Sequence, residues 1–302
     1  APRTVGNAYS IGRTRTVGDA VRNGALTFSG QGTMTSATTL MAQSPVVLSG
    51  ILGGAFAFTK NGSGALTLSG ANTFTGGVTV TGGAGSVVRI GNDAGLGTGL
   101  LTLNAAGVAV SSDSGSARTL GNSFTIGADV TLGDGTNTGA LTFGGTGAIT
   151  ANSTVTVASA VNWNGVVSGS GNLTKAGTGE LTLAGANTYT GSTLVDAGTL
   201  ALTGTGRLAS TALTVSAGAT LSVGSSALVP TNAVVTADGI VELGASAVTL
   251  LTLDGASSGR VTLEGTTLTL SNGAFAGVIR DGATAGSLVK TNPGTLTLSG
   301  VN

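Results

Sequence analysis

Three lysines stand at one spacing along the chain and are the clearest candidates for contact chemistry. They are the only lysines among the 302 residues, and neighbours in the set are 115 positions apart: Lys60, Lys175 and Lys290. Ammonium groups at one phase of a repeat predict a spaced set of cations that contacts a surface or another copy of the chain. The alternative is a solvent-facing turn lysine that the repeat carries without a partner.

Arginines are concentrated at the start of the chain. Four of the 12 basic residues fall within the first 22 positions: Arg3, Arg13, Arg15 and Arg22. Guanidinium groups bind carboxylates and other anions well, so this cluster predicts a surface contact with an anionic ligand or with an acidic end of another copy. The alternative is that these charges discourage uncontrolled pairing at an exposed β-edge.

The carboxylates suggest two further kinds of site, for calcium binding and for polysaccharide cleavage. Each lacks some of the residues that such a site needs. Asp19 and Asp134 are also 115 positions apart and each follows a glycine, which is typical of a turn in which Asp bonds its own backbone. A calcium site would need a denser set of oxygen ligands. Glu242 and Glu264 could form a carboxylate pair for polysaccharide cleavage, but no motif fixes a basic group beside them. We therefore assign no catalytic, cofactor-binding or metal-binding residue.

The composition excludes several functional classes. The chain has no His and no Cys, which excludes a Cys/His zinc site, a thiol nucleophile and a Ser-His triad. Charged residues make up 8% and the net charge is zero, so nothing indicates nucleic-acid binding, and repulsion between copies is weak. No run approaches the roughly 18 uninterrupted apolar residues typical of a membrane-spanning helix.

A long internal repeat organises the sequence. Residues 58–76 read FTKNGSGALTLSGANTFTG and residues 173–191 read LTKAGTGELTLAGANTYTG, with 13 of 19 positions identical. Residues 288–302 match 173–187 at eight of 15 positions. Self-similarity at a fixed offset is the mark of a repeat architecture, in which each unit packs on its neighbours.

A shorter period beneath this repeat predicts the fold class. Apolar-Thr-apolar triplets such as Leu181-Thr182-Leu183 recur, mostly every 17 to 21 residues, with Gly, Asn, Asp and Ser between them. Alternation with period two is typical of strands with one apolar face. We expect an all-β, right-handed parallel β-solenoid (β-helix) with about 20 residues per coil. A β-sandwich is the alternative, but it needs longer strands and more core aromatics than the 3% present.

Two further patterns, a tryptophan and a set of Thr-x-Thr pairs, could in principle form binding surfaces. Trp163 stands where the earlier copy has Leu48, which favours a space-filling role over a platform for sugar stacking. Thr-x-Thr pairs could order water and bind ice if they stacked in one phase, but they occur at scattered phases: Thr79/Thr81, Thr154/Thr156, Thr188/Thr190 and Thr267/Thr269.

The repeats also resemble a known family. The strings VSGSGNLTK at 167–175 and GELTLAGANTYTG at 179–191 resemble the passenger-associated transport repeat, also described as the autotransporter-associated β-strand repeat. Residues 49–76 carry nearly all of the pattern and residues 274–302 carry a variant. The resemblance implies a bacterial autotransporter passenger, exported through an outer-membrane barrel outside this chain. Because the third copy stops at Asn302, we expect a longer protein.

These observations combine into one functional expectation. We expect a single elongated β-solenoid over 1–302, with repeat units at about 15–76, 130–191 and 254–302 and spacer coils at 77–129 and 192–253. We expect a non-catalytic adhesive or structural rod, secreted or on the bacterial cell surface, without a cofactor. Its partners would be other copies or a host or cell surface. The alternative is a self-assembling subunit of an extracellular fibre or sheath, and a polysaccharide-acting β-helix enzyme is more remote.

Overall fold

The fold consists of β-strands joined by turns and bends. The structure, a computed structural model, describes residues 1–19, 21, 24–224, 229–291 and 293–301. Within those ranges every regular element is a strand and no helix is present. The chain forms two compact units: Ala1–Ala148 with Ala158–Val161, and Ile149–Val157 with Asn162–Asn302. Arg22 lies outside the described residues.

The strands of the first unit are mostly three to five residues long. They are β1 (Arg3–Val5), β2 (Tyr9–Val17), β3 (Leu26–Phe28), β4 (Gly32–Ala42), β5 (Val46–Leu48), β6 (Leu52–Gly53), β7 (Phe58–Asn61), β8 (Leu66–Leu68), β9 (Val78–Val80), β10 (Val87–Ile90), β11 (Leu101–Leu103), β12 (Val108–Ser112), β13 (Arg118–Leu120), β14 (Phe124–Ile126), β15 (Val130–Leu132) and β16 (Leu141–Phe143). Two short strands, β17 (Gly147–Ile149) and β19 (Val161–Trp163), contain residues of both units.

The strands of the second unit follow the same pattern. They are β18 (Ser153–Val157), β20 (Val167–Gly169), β21 (Leu173–Ala176), β22 (Glu180–Leu183), β23 (Thr193–Val195), β24 (Thr199–Leu202), β25 (Ala212–Val215), β26 (Thr220–Val223), β27 (Val234–Ala237), β28 (Ile240–Leu243), β29 (Ala247–Asp254), β30 (Arg260–Leu263), β31 (Thr267–Phe275), β32 (Val278–Asp281), β33 (Ser287–Lys290) and β34 (Leu296–Leu298).

Each strand pairs in parallel with strands one turn of the chain away. In the first unit, one sheet has the order β1-β3-β5-β8-β10-β12-β15 and another has β2-β4-β7-β9-β11-β14. In the second unit, one sheet has the order β21-β23-β25-β27-β29-β31-β33, and another, which is distinct from the β2-β4 sheet, has the order β22-β24-β26-β28-β30-β32. Phe58 pairs with Val78, 20 residues on, and Val78 pairs with Leu101, 23 residues on. The predicted parallel β-solenoid is confirmed, and the β-sandwich alternative is wrong.

The alternation seen in the sequence sets which side chains enter the core. In β8, Leu66 and Leu68 are fully buried while Thr67 between them is half-buried. Parallel stacking repeats this choice in every turn, so buried Leu, Val, Ile and Phe form columns along each unit. The predicted two-residue period therefore holds: in strands such as β8 the aliphatic side chains point into the core and the threonine between them faces outward.

No helix in the described part of the chain is long and apolar enough to cross a membrane.

Candidate functional site

The lysine of the first repeat lies inside the core of the first unit. Lys60 is in β7, where strand pairing places it between Leu40 of β4 and Val80 of β9. It shares the inward phase of these two buried residues, and its side chain is fully buried. The long alkyl stem packs in an aliphatic column and carries the ammonium to the edge of the core, as lysine side chains often do near apolar surface.

The lysine of the second repeat occupies the same kind of column in the second unit. Lys175 of β21 pairs with Val155 on one side and Val195 on the other, and it too is fully buried. The predicted surface position is therefore wrong for Lys60 and Lys175. The reason is the alternation itself, which points this position of the strand inward and leaves the neighbouring threonines outside.

Each buried ammonium is held by three oxygens. Lys60 Nζ donates to Gly62 O at 2.6 Å, to Ser86 Oγ at 3.0 Å and to Asn61 O at 3.1 Å. Asn61 is the last residue of the lysine strand and Gly62 follows it directly, whereas Ser86 lies one coil later in the solenoid. An ammonium has three N–H donors and no acceptor, so three acceptors satisfy it.

The second repeat reproduces this arrangement with backbone oxygens alone. Lys175 Nζ donates to Gly177 O at 2.7 Å, to Ala197 O at 2.8 Å and to Ala176 O at 3.2 Å. Burial lowers the pKa of both lysines from 10.5 to about 8, and for Lys175 the negative charge of Glu180 partly opposes that effect. One of the three oxygens, Ser86 Oγ for Lys60 and Ala197 O for Lys175, comes from the following turn of the solenoid. Each lysine therefore ties two successive turns together.

The third lysine differs from its two counterparts. Lys290 of β33 is exposed, and its ammonium donates to the carbonyl of Thr291. Strand pairing joins Lys290 to Leu270 of β31 on one side. In the described residues no later strand pairs with β33, so the oxygen that a following turn supplies to Lys175 has no counterpart here. A contact role for the Lys290 ammonium stays a prediction.

An asparagine in each of the first two repeats makes a complementary tie to the preceding turn. Asn72 Oδ1 accepts the backbone N–H of Leu52 at 2.8 Å, and its amide donates to Gly95 O, one turn later, at 2.7 Å. Asn187 Oδ1 accepts the backbone N–H of Val167 at 2.9 Å. Both side chains are buried. A buried amide that bonds the backbone of an adjacent turn fixes the register between turns.

The aromatic residue two positions after each asparagine is also part of the core. Phe74 and Tyr189 are fully buried, and the Tyr189 hydroxyl lies 2.8 Å from Thr193 Oγ1. Burial raises the pKa of the Tyr189 phenol. In the first two repeats the Lys, Asn and Phe/Tyr of the signature are thus interior residues, and the signature there describes how turns stack rather than a surface.

The two aspartates spaced by 115 residues sit in turns, as the sequence predicts. Asp19 Oδ1 accepts the N–H of Val21 at 2.8 Å, and Asp134 Oδ1 accepts the N–H of Thr136 at 2.7 Å. The latter bond is the main reason why the pKa of Asp134 is lowered. Asp134 also forms an ion pair with Arg89 at 3.5 Å. These bonds account for both carboxylates as turn formers.

The remaining acidic candidates, Glu242 and Glu264, lie on neighbouring coils at different register positions. Glu242 pairs in register with Thr262, one turn later, and Glu264 instead accepts the N–H groups of Ala283 and Thr284 at 2.8 and 3.0 Å. Among the described residues, no group of three or more His, Cys, Asp or Glu could hold a metal ion.

Of the other residues singled out from the sequence, some are exposed and one is buried. Arg3, Arg13 and Arg15 are exposed, so a contact role for these three stays a prediction, while Arg22 lies outside the described residues. Trp163 is 1% exposed. The space-filling interpretation of Trp163 is confirmed, and a sugar-stacking platform at this residue is excluded because its ring has no accessible face.

Comparison with known families places these ties in context. Residues 58–84, 173–202 and 288–302 match the family model of the passenger-associated transport repeat, which confirms the resemblance. The chain is therefore a β-solenoid that carries passenger-associated transport repeats. The repeats and the fold fit an autotransporter passenger. No curated protein and no solved structure matches the chain.

The polar ties between turns were not predicted from the sequence, although their residues recur in it. Asn72 and Asn187 are identical in the two best copies, and a repeated buried asparagine was a detectable signal. The oxygens that accept hydrogen bonds from the lysine ammonium groups could not be predicted from the sequence in the same way. Most of them are backbone carbonyls, which any residue supplies, and their position depends on how the turns stack.

Proposed function

We propose that the chain is a non-catalytic passenger, displayed outside a bacterial cell, that serves as an adhesive or structural element. One observation carries the proposal: in two of the three stretches that match the passenger repeat, 58–84 and 173–202, buried Lys and Asn side chains tie successive turns of the parallel β-solenoid. The repeat therefore supports a stack of turns, and the outward Thr and Ser hydroxyls are left for contact.

Surface display can be tested on intact cells that produce the complete protein from its own gene. An antibody against the purified chain should label intact and permeabilised cells equally in flow cytometry. Labelling that appears only after permeabilisation would contradict the proposal. Adhesion is tested separately, by comparing attachment of these cells with that of a deletion strain to abiotic and host-cell surfaces. Equal attachment of both strains would remove the adhesive role.

A second function, self-association, is favoured by one face of the first unit. Six outward threonines follow one another in register along its second sheet: Thr14, Thr39, Thr59, Thr79, Thr102 and Thr125. We call these six residues the threonine row. From Thr39 to Thr125, the residues two positions before and after each threonine are all uncharged. A flat β-face without charge lacks the usual protection against association with its own kind.

Sedimentation equilibrium of the purified chain tests this second function. We expect concentration-dependent association that weakens at least tenfold in a Thr79→Lys, Thr102→Lys double variant, because both new ammonium groups would have to be desolvated in the contact. Thr131→Lys, on the outward face of β15 in another sheet of the unit, is the matched control. A chain that is monomeric at all concentrations, or a control with the same effect, argues against the threonine row.

A further inference from the structure

We propose that the end of the lysine strand in the first two repeats, together with the coil that follows it, forms a binding site for a primary ammonium group, and that the lysine side chain supplies this group on a tether. We call the three oxygens around each ammonium the cation cradle. In the first unit these are Asn61 O, Gly62 O and Ser86 Oγ, and in the second they are Ala176 O, Gly177 O and Ala197 O. The ligand class is a primary ammonium, held by neutral oxygens.

The atoms that contact each ammonium are neutral oxygens, although the charge of Glu180 also acts on Lys175. All oxygens of each cradle are carbonyls or a hydroxyl, at 2.6–3.2 Å from the nitrogen. The two ion pairs found among the described residues involve arginines, and neither includes Lys60 or Lys175. Three neutral acceptors match the three N–H donors of a primary ammonium, which has no acceptor of its own.

The backbone around the cradle is held independently of the lysine side chain. Gly62 and Gly177 have φ values of 80° and 76°, a region that glycine enters freely. The N–H of Thr81 bonds Lys60 O at 2.8 Å, and the N–H of Asp196 bonds Lys175 O at 2.9 Å. These main-chain bonds do not involve the lysine side chains, so we expect the backbone carbonyls beside them to keep their positions when the ammonium is removed.

The cradle of the second repeat is also shaped to the ammonium. A Cβ added at Gly198, which has φ of 65°, would lie 2.7 Å from Lys175 Nζ and 2.5 Å from Gly177 O. Only glycine at this position leaves room for the cation and its oxygens. The site is therefore built from two neighbouring turns, and the lysine stem enters it through an aliphatic column.

The first experiment separates the cation from its tether. In Lys175→Ala, n-propylammonium replaces the atoms removed beyond Cβ, and we expect it to raise the urea midpoint of the variant with saturation. Propan-1-ol has the shape without the charge, and tetramethylammonium has the charge without N–H donors, so neither should do so. Val155→Ala, in the same column, is the control for a cavity without a cradle. Rescue of Val155→Ala by propylammonium, or equal rescue by propanol, overturns the proposal.

The second experiment does not require a stable alanine variant. The chain has no cysteine, so Lys175→Cys can be alkylated at one site in denaturant and then refolded. Bromoethylamine restores a side chain of lysine length that ends in an ammonium, and 1-bromopropane gives the same length ending in a methyl group. We expect amide exchange at residues 175–198 to be at least tenfold slower in the ammonium form. Equal exchange in the two forms contradicts the proposal.

Discussion

The side-chain oxygen of Asn187 accepts the backbone N–H of Val167, which lies one turn earlier in the second unit, at 2.9 Å. The same bond joins Asn72 to Leu52 in the first unit at 2.8 Å. The Oδ1 atoms of these asparagines bond the preceding turn, whereas the ammonium groups of the lysines in the same repeats bond the following turn. A repeat with both residues thus connects three successive turns by side chains, in addition to the backbone ladder.

Removing either asparagine should destabilise its unit. We expect Asn72→Ala and Asn187→Ala each to lower the free energy of unfolding by about 1–3 kcal/mol, because the N–H of Leu52 or Val167 then stays buried without an acceptor. Urea denaturation followed by circular dichroism measures the change. Asn104→Ala, at an exposed position, is the control and should change stability by less than about 0.5 kcal/mol. Equal effects at buried and exposed asparagines would refute the tie.

The buried lysines give the stability a defined pH dependence. Their pKa falls from 10.5 to about 8 on folding because burial disfavours the charged form. Between these two values the unfolded chain binds more protons than the folded chain, so stability should increase as the pH rises from about 8. Above pH 10 the trend should reverse, since folding raises the pKa of Tyr189 and the unfolded chain then loses more protons.

Urea midpoints measured from pH 7 to pH 10 check this pH dependence. The double variant Lys60→Met, Lys175→Met should lose the increase, because it has no buried ammonium. Lys290→Met should keep it, since Lys290 is exposed. A wild-type midpoint that is flat or decreasing between pH 8 and pH 10 would show that the lysines keep their ordinary pKa when buried.

Glycine 198 offers a steric test of the cradle. Gly198→Ala should cost more than Gly218→Ala, although both residues have positive φ, at 65° and 83°. The alanine methyl at 218 has nothing within 4 Å, whereas at 198 it meets Lys175 Nζ and two carbonyl oxygens. We expect about 1–2 kcal/mol at 218 from backbone strain alone, and clearly more at 198. Thermal denaturation of the two variants measures the difference, and equal losses would indicate that the turn yields to the methyl group.

Trp163 should be one of the largest single contributors to core packing. Trp163→Ala removes a fully buried ring and should cost about 3–5 kcal/mol. Phe56→Ala, whose side chain is 41% exposed, is the matched aromatic control and should cost much less. Denaturant titration of both variants provides the comparison, and a small loss at Trp163 would mean that the surrounding turns collapse into the space.

Sequence reasoning reached the fold because the solenoid repeats its local pattern in every turn. The triplet Leu181-Thr182-Leu183 shows both the strand and its buried face, and the 13 of 19 identities between copies show the repeat. The position of the lysines was beyond that reasoning. An ammonium in a column of Val155 and Val195 contradicts ordinary expectations for charge, and only the stacked turns reveal the oxygens that make it possible.

Burial of Lys60 and Lys175 has a consequence for how the chain can be probed. A lysine-specific endoprotease needs an extended, accessible peptide segment, and only Lys290 of the three lysines offers an exposed side chain. Native digestion should therefore begin at Lys290, and acylating reagents should mark Lys290 before Lys60 or Lys175. Appearance of fragments cut at position 60 or 175 then reports, unit by unit, when the stack has opened.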